Sequence, residues 1–379
     1  MKKIIMVATV PLCFSTLIRG QPKYLSQYFQ VKLVTSPSEE NKNIAKYEGI
    51  DICSIDMTRR ITPFKDFVAL WKLIGFFRKE KPDLVYTFTP KAGLLGMLAA
   101  FMLRVPRRVH NVVGMPLMEA VSYRALLLKY SEKLTYGLAT HLFCNSFGLK
   151  KFISANLTKR DIQVIANGSI NGVDTAYFQD DYSDVKKSAI RQKYSISVDD
   201  FVFSYIGRLV KDKGINELIL AFSNLLPTHH NIKLLLVGDA KLEHDLLSRQ
   251  TLNTIATNRN IISIGFQSNI KNLLSITDFV VLPSYREGLP NALIEAGSFG
   301  LALIATDIEG CNEIIQHNHT GLLVKTKDVS DLQNAMEIYI KNKILRDKVQ
   351  SNIRQYIVNT YDQTMFWRSL KEVFEKLLD

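Results

Sequence analysis

The stretch FVVLPSYREGLPNALIEAGSFGLALIATD, residues 279–307, decides the fold. Its apolar beginning, Phe279 to Leu282, predicts a buried strand. A short loop follows, and Pro290 takes the favoured first position of a helix that runs from Asn291 to about Ser298. A second buried strand is predicted from Leu301 to Thr306. Strand, loop, helix and strand in this order build a parallel sheet, which binds ligands at the carboxyl ends of its strands.

Two carboxylates lie in this unit, Glu287 in the loop and Glu295 one to two turns into the helix. Ionised carboxylates only accept hydrogen bonds, so two acids that reach one ligand suit a polyhydroxylated molecule. Gly288 allows close approach of the backbone, and N–H groups near the helix start suit electronegative groups. The same spacing is equally compatible with a helix that has a favourable acid near its start and one solvated glutamate.

The composition is that of a globular protein with two domains. At 379 residues the chain is long for one core, and its 47% hydrophobic and 22% charged residues are in the ordinary range. The cysteines are scattered, without a CxxC pair or clustered histidines; they are Cys13, Cys53, Cys144 and Cys311. This pattern indicates a reducing compartment and argues against a zinc site or a disulfide framework.

The excess positive charge lies in the first half of the chain. Residues 1–165 hold 25 Lys and Arg against 11 Asp and Glu, whereas the remainder holds 23 against 25. A basic half predicts an acidic partner, which is nucleic acid, anionic lipid headgroups or a phosphorylated substrate. No nucleic-acid-binding motif accompanies the charge, and a surface that is merely rich in lysine also accounts for it.

No membrane span is predicted. The start, MKKIIMVATVPLCF, lacks the small residues of a signal-peptide cleavage site and is predicted to contain the first strand. The longest later apolar run, residues 92–103, is too short to cross a bilayer.

Strand and helix patterns alternate in both halves, which predicts two doubly wound parallel sheets. In the first half, the predicted strands are 3–9, 30–35, 50–55, 83–88, 107–113, 140–145 and 162–166, and the helices include 64–79, 91–102 and 123–138. In the second half, the further strands are 201–206, 232–237, 261–264 and 322–324, and the further helices are 215–226, 242–256, 269–276, 328–342, 344–359 and 363–378. Turn and polar residues at 167–184 predict a domain boundary.

A second motif, GRLVKDKG at residues 207–214, joins a strand to a helix. Arg208 offers a fork of N–H donors, Lys213 a point charge, and the helix start its dipole, which together suit a diphosphate. These groups could neutralise a departing nucleoside diphosphate without a metal. Taken alone, the motif is equally compatible with a basic surface turn. Neither a Walker lysine pattern nor GxGxxG is present, so NTP hydrolysis and NAD chemistry are not indicated.

Together, GRLVKDKG and SYREGLPNALIEA at residues 284–296 resemble the donor site of retaining family-four glycosyltransferases of the GT-B fold. Three further stretches are similar to the bacterial subgroup that builds O-antigen, capsule and lipid-linked oligosaccharides; they are FTPKAGLLGMLAA at 88–100, NVVGMPL at 111–117 and NGSINGVDTAYF at 167–178. The resemblance implies two Rossmann-like domains that face a central cleft. These are an acceptor domain at 1–170, a linker at 171–196 and a donor domain at 197–359, with a final helix at 360–379 that crosses back and packs Phe366 and Trp367 on the first domain.

The resemblance also implies a role for each site residue. Arg208 and Lys213 hold the donor diphosphate, and Glu287 contacts the donor sugar. The backbone amides beside Glu287 assist it; they belong to Gly288, Leu289 and Asn291. Glu295 binds the ribose hydroxyls, and the nucleobase meets the main chain around Phe266, in the segment 265–267. The nucleotide-sugar is a co-substrate, and neither a metal nor another cofactor is implied.

The acceptor side departs from the family pattern. Many members have a glycine pair in the loop after the first strand, whereas Val10 to Thr16 contains no glycine. Many members also have His or Asp where this chain has Val113. His110 and Thr16 are the candidate acceptor-side residues. For His110, a structural or solvated histidine beside two arginines is the alternative.

The implied activity is the retaining transfer of a hexose or N-acetylhexosamine from a nucleotide-sugar, UDP-linked, to a hydroxyl of a lipid-linked saccharide. The acceptor would be a polyprenyl-diphosphate-linked saccharide, at the anionic cytoplasmic face of the inner membrane. The helix 123–138, with Arg124, Lys129 and Lys133 beside leucines, would lie in the membrane interface or pack as a core helix. The alternatives are a GT-B-fold sugar-nucleotide epimerase and a non-catalytic nucleotide-sugar-binding protein.

Overall fold

The computed structural model describes residues 1–58, 62–114, 122–239 and 246–379, without the side chains of 122–124. The chain forms two compact units. Unit 1 contains Met1–Gly172 together with Gln363–Asp379, and unit 2 contains Val173–Asp362. Two segments of the sequence predictions lie partly outside the described residues, namely 111–117 and the start of the helix 242–256.

Unit 1 contains a sheet of seven parallel strands in the order β3-β2-β1-β4-β5-β6-β7. The strands are β1 Lys3–Val7, β2 Gln30–Thr35, β3 Ile52–Ser54, β4 Leu84–Thr87, β5 Arg107–Val112, β6 His141–Cys144 and β7 Ile162–Val164. All seven strands predicted from the apolar runs are therefore present. Their near-continuous burial is typical of a parallel sheet with helices on both faces.

The helices of unit 1 cover both faces of this sheet. They are α1 Gln21–Leu25, α2 Glu40–Glu48, α3 Pro63–Glu80, α4 Pro90–Met102, α5 Ser122–Leu138, α6 Phe147–Asn156 and, from the end of the chain, α14 Gln363–Leu378. Helices α3 to α6 share one apolar core with the sheet, and α1, α2 and α14 share the other. A short π-helical turn, Cys13–Leu17, follows β1.

The last helix, α14, packs on unit 1, as the family resemblance implied. Phe366 is buried in the core beneath the sheet. Trp367 donates its indole N–H to Asn171 Oδ1 at 2.7 Å, and its ring centroid lies 5.3 Å from that of Tyr24. The chain therefore returns to unit 1 after it has completed unit 2.

Unit 2 contains a second sheet, of six parallel strands in the order β10-β9-β8-β11-β12-β13. The strands are β8 Phe201–Ile206, β9 Ile232–Val237, β10 Ile261–Ser263, β11 Phe279–Leu282, β12 Ala302–Thr306 and β13 Leu322–Val324. The helices are α7 Asp184–Lys193, α8 Ile215–Leu225, α9 Arg249–Thr257, α10 Lys271–Leu274, α11 Asn291–Phe299, α12 Val329–Lys341 and α13 Lys343–Tyr361. The expected α/β architecture of two parallel sheets is confirmed.

The structure corrects two details of the sequence predictions. Pro290 is not the first helical residue, because its ψ of 108° is extended and α11 begins at Asn291. Residues 171–196 were expected to form a linker, but they contain helix α7, which belongs to unit 2. In the described part of the chain, no helix combines the length and apolar character needed to cross a membrane.

Candidate active site in the second unit

The two motifs lie side by side at one edge of the unit 2 sheet. GRLVKDKG follows β8 and SYREGLPNALIEA follows β11, and these two strands are parallel neighbours. Because parallel strands present their carboxyl ends at the same edge, the loops after them are adjacent. Tyr285 N–H donates to the Asp212 carbonyl at 2.8 Å, which ties the second loop to the first.

Lys213 and Glu287 form an ion pair at this edge. Lys213 Nζ lies 2.7 Å from Glu287 Oε1, and only 15% and 14% of the two side chains are exposed. Ser284 Oγ donates to the same oxygen at 2.7 Å. Among the described residues, no donor contacts Glu287 Oε2, so one carboxylate oxygen is held and the other is open to a ligand.

Three backbone N–H groups complete the surroundings of Glu287. They belong to Gly288, Leu289 and Asn291, where the loop enters α11. In the part of the chain that the structure describes, none of the three has a hydrogen-bond acceptor. Unpaired N–H groups at a helix start favour electronegative ligand atoms.

Two further contacts connect the loop that carries Glu287 to the segment that carries Lys213, and the sequence did not predict them. Arg286 NH2 lies 2.9 Å from Asp212 Oδ2, and Asp212 is buried. Tyr285 donates its hydroxyl to Glu217 Oε1 at 2.7 Å. Asp212 between two lysines was the only signal in the sequence that a buried acid stands in this turn.

A close backbone approach fixes the loop that carries Glu287. At Gly310 the backbone adopts φ +87°, and a Cβ atom there would lie 2.3 Å from the Gly288 carbonyl oxygen. That distance is far inside van der Waals contact, so only glycine fits. Gly310 lies in the loop after β12, and its backbone therefore packs directly against Gly288.

Arg208 and Glu295 stand apart from the ion pair. Arg208 is exposed, and within the described residues its guanidinium makes no hydrogen bond, although Tyr205 donates its hydroxyl to the Arg208 carbonyl at 2.8 Å. Glu295 is half-buried on α11, and no described donor contacts its carboxylate. Burial raises the pKa of Glu295 to about 7. The arrangement thus leaves a cationic and an acidic side chain available to a ligand.

The segment after β10 presents an aromatic ring to solvent. Phe266 is 61% exposed, and its N–H donates to Asp239 Oδ1 at 2.9 Å. The Asp239 carbonyl accepts from Leu209 N–H at 3.0 Å, so this residue joins the segment to the GRLVKDKG loop. Gly238 N–H donates to the Gly265 carbonyl at 2.9 Å and fixes the segment further.

The two acceptor-side candidates lie in unit 1, and the structure gives them different surroundings. His110 is only 2% exposed, and its Nδ1 lies 2.8 Å from Thr87 Oγ1. Burial lowers the pKa of His110 to about 4, which favours the neutral ring and fits the structural alternative. Thr16 is exposed, but its hydroxyl donates to the Leu12 carbonyl at 2.6 Å.

Comparisons with known proteins identify the family. The family described as Glycosyl transferase 4-like matches residues 8–146, and Glycosyl transferases group 1 matches residues 186–356. The capsular polysaccharide biosynthesis glycosyltransferase CapM of Staphylococcus aureus is 32% identical over 366 residues, which are 96% of this chain and 94% of that protein. The chain belongs to family four of the GT-B glycosyltransferases.

One further relative is similar over most of its length, and one solved structure shares the fold. The UDP-Gal:alpha-D-GlcNAc-diphosphoundecaprenol alpha-1,3-galactosyltransferase of Escherichia coli is 29% identical over 84% of this chain and 81% of its own length. The crystal structure of Anabaena Alr3699/HepE in complex with UDP has a TM-score of 0.81, with 19% identity, 99% of this chain and 100% of that chain covered. The second likeness confirms the GT-B fold of the glycosyltransferase.

Proposed function

We propose that this glycosyltransferase moves a sugar from a UDP-linked donor to a hydroxyl of a polyprenyl-diphosphate-linked saccharide, with retention of the anomeric configuration. The observation that carries the proposal is the Lys213–Glu287 pair, with an open carboxylate oxygen beside three unpaired N–H groups. The name of the Escherichia coli relative combines a UDP-galactose donor with a diphosphoundecaprenol acceptor, which supports both substrate classes.

In this proposal Lys213 and Arg208 neutralise the departing diphosphate. An ammonium group has three N–H donors, so Lys213 can keep its contact with Glu287 and still donate to a phosphate oxygen. Arg208 is exposed and adds a second positive charge. Charge that develops on the leaving oxygen is then stabilised by groups already in position, without a metal or another cofactor.

Glu287 orients the donor sugar in the proposed mechanism. Its open oxygen accepts a hydrogen bond from a sugar hydroxyl, and the N–H groups of Gly288, Leu289 and Asn291 donate to sugar oxygens. Glu295 accepts from the ribose, and the Phe266 segment meets the nucleobase. Each of these contacts is one that its side chain or amide can make without breaking a hydrogen bond seen in the structure.

In the proposed reaction, one bond breaks and one bond forms at the anomeric carbon. The bond between the anomeric carbon and the diphosphate oxygen breaks, and that carbon passes through an oxocarbenium-like state. The acceptor oxygen attacks from the side of the departing phosphate, which takes the acceptor proton. The new glycosidic bond therefore keeps the configuration of the donor, and no side chain has to act as base. The products are free UDP and the extended lipid-linked saccharide.

The proposed setting is surface-polysaccharide synthesis, of the O-antigen or capsule kind, at the cytoplasmic face of the inner membrane. The CapM relative supports the pathway class, and the lipid-linked acceptor named for the Escherichia coli relative supports the membrane setting. The relatives do not favour a sugar-nucleotide epimerase or a non-catalytic binding protein.

A transfer assay with matched variants tests the proposal. Purified protein is incubated with a panel of radiolabelled nucleotide-sugars and a polyprenyl-diphosphate-linked saccharide, and the anomeric configuration of the product is read by NMR. Lys213→Ala and Glu287→Gln are expected to lower kcat by at least about 100-fold. Lys211→Ala is the control, because Lys211 is exposed in the same turn and its side chain makes no described hydrogen bond or ion pair. Turnover that persists in both site variants would contradict the roles assigned to Lys213 and Glu287. A product with inverted anomeric configuration would contradict the retaining mechanism.

A further inference from the structure

Helix α3 of unit 1 has large apolar side chains on its outer face. They lie three or four positions apart along the first turns and are Phe64, Phe67, Val68 and Trp71. Phe64 is 81% exposed and Trp71 52%. The opposite face of the helix, with Leu73 and Phe77, is buried against the sheet. An amphipathic helix normally turns polar residues to the outside, so this outer face is unusual.

Helix α5 repeats the arrangement. Its exposed apolar residues are Leu126, Leu127, Tyr130 and Leu134. Helix α4 packs against both α3 and α5, and its own exposed apolar residues, Phe101 and Met102, lie at its end. All three helices cover the same face of the unit 1 sheet. We refer to the outward side of these three helices as the α3–α5 face.

The α3–α5 face carries lysines beside its apolar residues. On α3 the exposed lysines recur every seven positions, as Lys65, Lys72 and Lys79, and on α5 they are Lys129 and Lys133. Residues seven apart lie on almost the same side of a helix. The lysines of α3 therefore form a row along the flank of the aromatic residues.

The carboxylates of these helices are turned away from the α3–α5 face. Asp66 is paired with Lys91 of α4 at 2.6 Å, and Glu80 is paired with Lys3 and Lys32 of the sheet. Glu132 of α5 is buried. Helix α4 has no acidic residue. Within the described residues, every charge exposed on the outer sides of α3 and α5 is thus positive.

We propose that the α3–α5 face binds the surface of an anionic phospholipid bilayer. Aromatic and leucine side chains enter the boundary between headgroups and acyl chains, and the flanking lysines contact lipid phosphates. A second copy of this chain is a poorer occupant, because two such faces would bring lysine against lysine. The inference rests on the proposed function only in that a polyprenyl-linked acceptor lies in a bilayer, and its test needs no turnover.

Vesicle flotation of the full chain tests the charge and apolar contributions separately. The protein is expected to float with vesicles of phosphatidylcholine and phosphatidylglycerol and to stay behind with phosphatidylcholine alone. Lys65→Ala with Lys72→Ala should weaken binding roughly 25-fold, since each lysine near an anionic surface contributes roughly fivefold. Phe67→Ser with Trp71→Ser should abolish flotation. Ile344→Ser, which removes an exposed apolar residue from unit 2, is the control and should bind like the parent protein.

The fluorescence of Trp71 reports insertion directly. The chain has two tryptophans, Trp71 and the partly buried Trp367. Anionic vesicles are expected to shift the emission to the blue, and brominated lipid is expected to quench it. In the Trp71→Phe variant, which keeps an aromatic ring at the position, both changes should disappear although flotation persists.

Three results would overturn the inference. They are flotation that ignores lipid charge, flotation that survives the Phe67→Ser with Trp71→Ser change, and a dimer in solution that the same change dissociates. Transfer to a short-chain, water-soluble acceptor needs no membrane. Measuring it beside flotation therefore tests sugar transfer and membrane binding separately. If the variants of the α3–α5 face transfer sugar in solution but the parent protein never floats, the membrane surface is wrong and the proposed function stands. If vesicle binding holds while no donor is consumed, the reverse is true.

Discussion

Lys213 and Glu287 are in direct contact, with Nζ 2.7 Å from Oε1, although 74 positions separate them in the chain. Adjacent strands β8 and β11 bring their loops together, and Ser284 holds the same carboxylate oxygen. The pair is mostly shielded from water. Each charge consequently depends on the other for its stability as well as for its orientation.

The first prediction concerns the stability of this ion pair. Lys213→Ala and Glu287→Gln should each lower the free energy of unfolding by about 1–3 kcal/mol, because the remaining polar group loses its partner. The double variant should lower the free energy of unfolding by less than the sum of the two single changes, and the difference, the coupling energy, should be about 0.5–3 kcal/mol. Urea unfolding of the four proteins measures these values. Strict additivity would show that the two side chains do not interact in solution.

The second prediction concerns Glu295 and donor affinity. Its pKa is raised to about 7 by burial, so its carboxylate gains charge and accepting capacity as the pH rises through 7. Affinity for a UDP-sugar, whose phosphates do not titrate in this range, should increase across that interval. In Glu295→Gln, calorimetric titration with the UDP-sugar should show no such increase in affinity between pH 6 and pH 8, roughly one unit on either side of that pKa. Glu132→Gln is the control, because the pKa of Glu132 is also raised to about 7 but it lies in unit 1. An unchanged pH profile in Glu295→Gln would remove the ribose assignment.

The third prediction concerns the buried His110. Its pKa falls from an ordinary value of 6.5 to about 4 on folding, because the charged ring would be buried. The unfolded chain binds the proton more readily, so this residue's stabilising effect is complete above pH 6.5 and is lost as the pH falls towards 4. Thermal melts of the parent protein and of His110→Gln, recorded over that interval, should show a shallower acid slope in the variant. Parallel slopes would indicate that His110 is exposed in solution.

The fourth prediction separates backbone strain from steric conflict at two glycines. Gly310 and Gly300 both adopt φ +87°, but only Gly310 has a carbonyl oxygen within 2.3 Å of the Cβ position, whereas the nearest atom at Gly300 is 3.9 Å away. Gly300→Ala should cost about 1 kcal/mol in the free energy of unfolding, from the left-handed conformation alone. Gly310→Ala should lower the free energy of unfolding by more than Gly300→Ala does. It should also weaken UDP-sugar binding, because the added Cβ displaces Gly288. Equal losses in both variants would contradict this account.

The sequence predicted the two parallel sheets well, since short apolar runs such as Phe279 to Leu282 end at turn residues and alternate with helical patterns. The resemblance to the glycosyltransferase family placed Lys213 and Glu287 in one site, and the structure shows that the parallel neighbours β8 and β11 bring their two loops together. The pairs Arg286–Asp212 and Tyr285–Glu217 were not foreseen. They depend on side-chain directions in two loops, and loop sequences carry no periodicity from which those directions follow.

In unit 1, the sequence could not show which side chains are buried and which are exposed. His110 was an acceptor-side candidate because it lies close to Val113 in the sequence, but both faces of a parallel sheet are covered, so the sequence could not distinguish a buried His110 from an accessible one. The apolar pattern of α3 predicted a helix correctly. It could not show that Phe64 and Trp71 would remain uncovered, because coverage depends on which neighbours pack against a helix, not on the helix itself.

The assignment of α14 to unit 1 has a consequence for synthesis on the ribosome. The core that receives Phe366 is formed by residues near the start of the chain, but the helix that closes it emerges only after all of unit 2 has been translated. Val173 N–H donates to the Tyr361 carbonyl at 2.8 Å, so unit 2 can close on itself before that moment. On the nascent protein, the apolar surface of unit 1 that α14 covers therefore stays exposed until that helix has been translated.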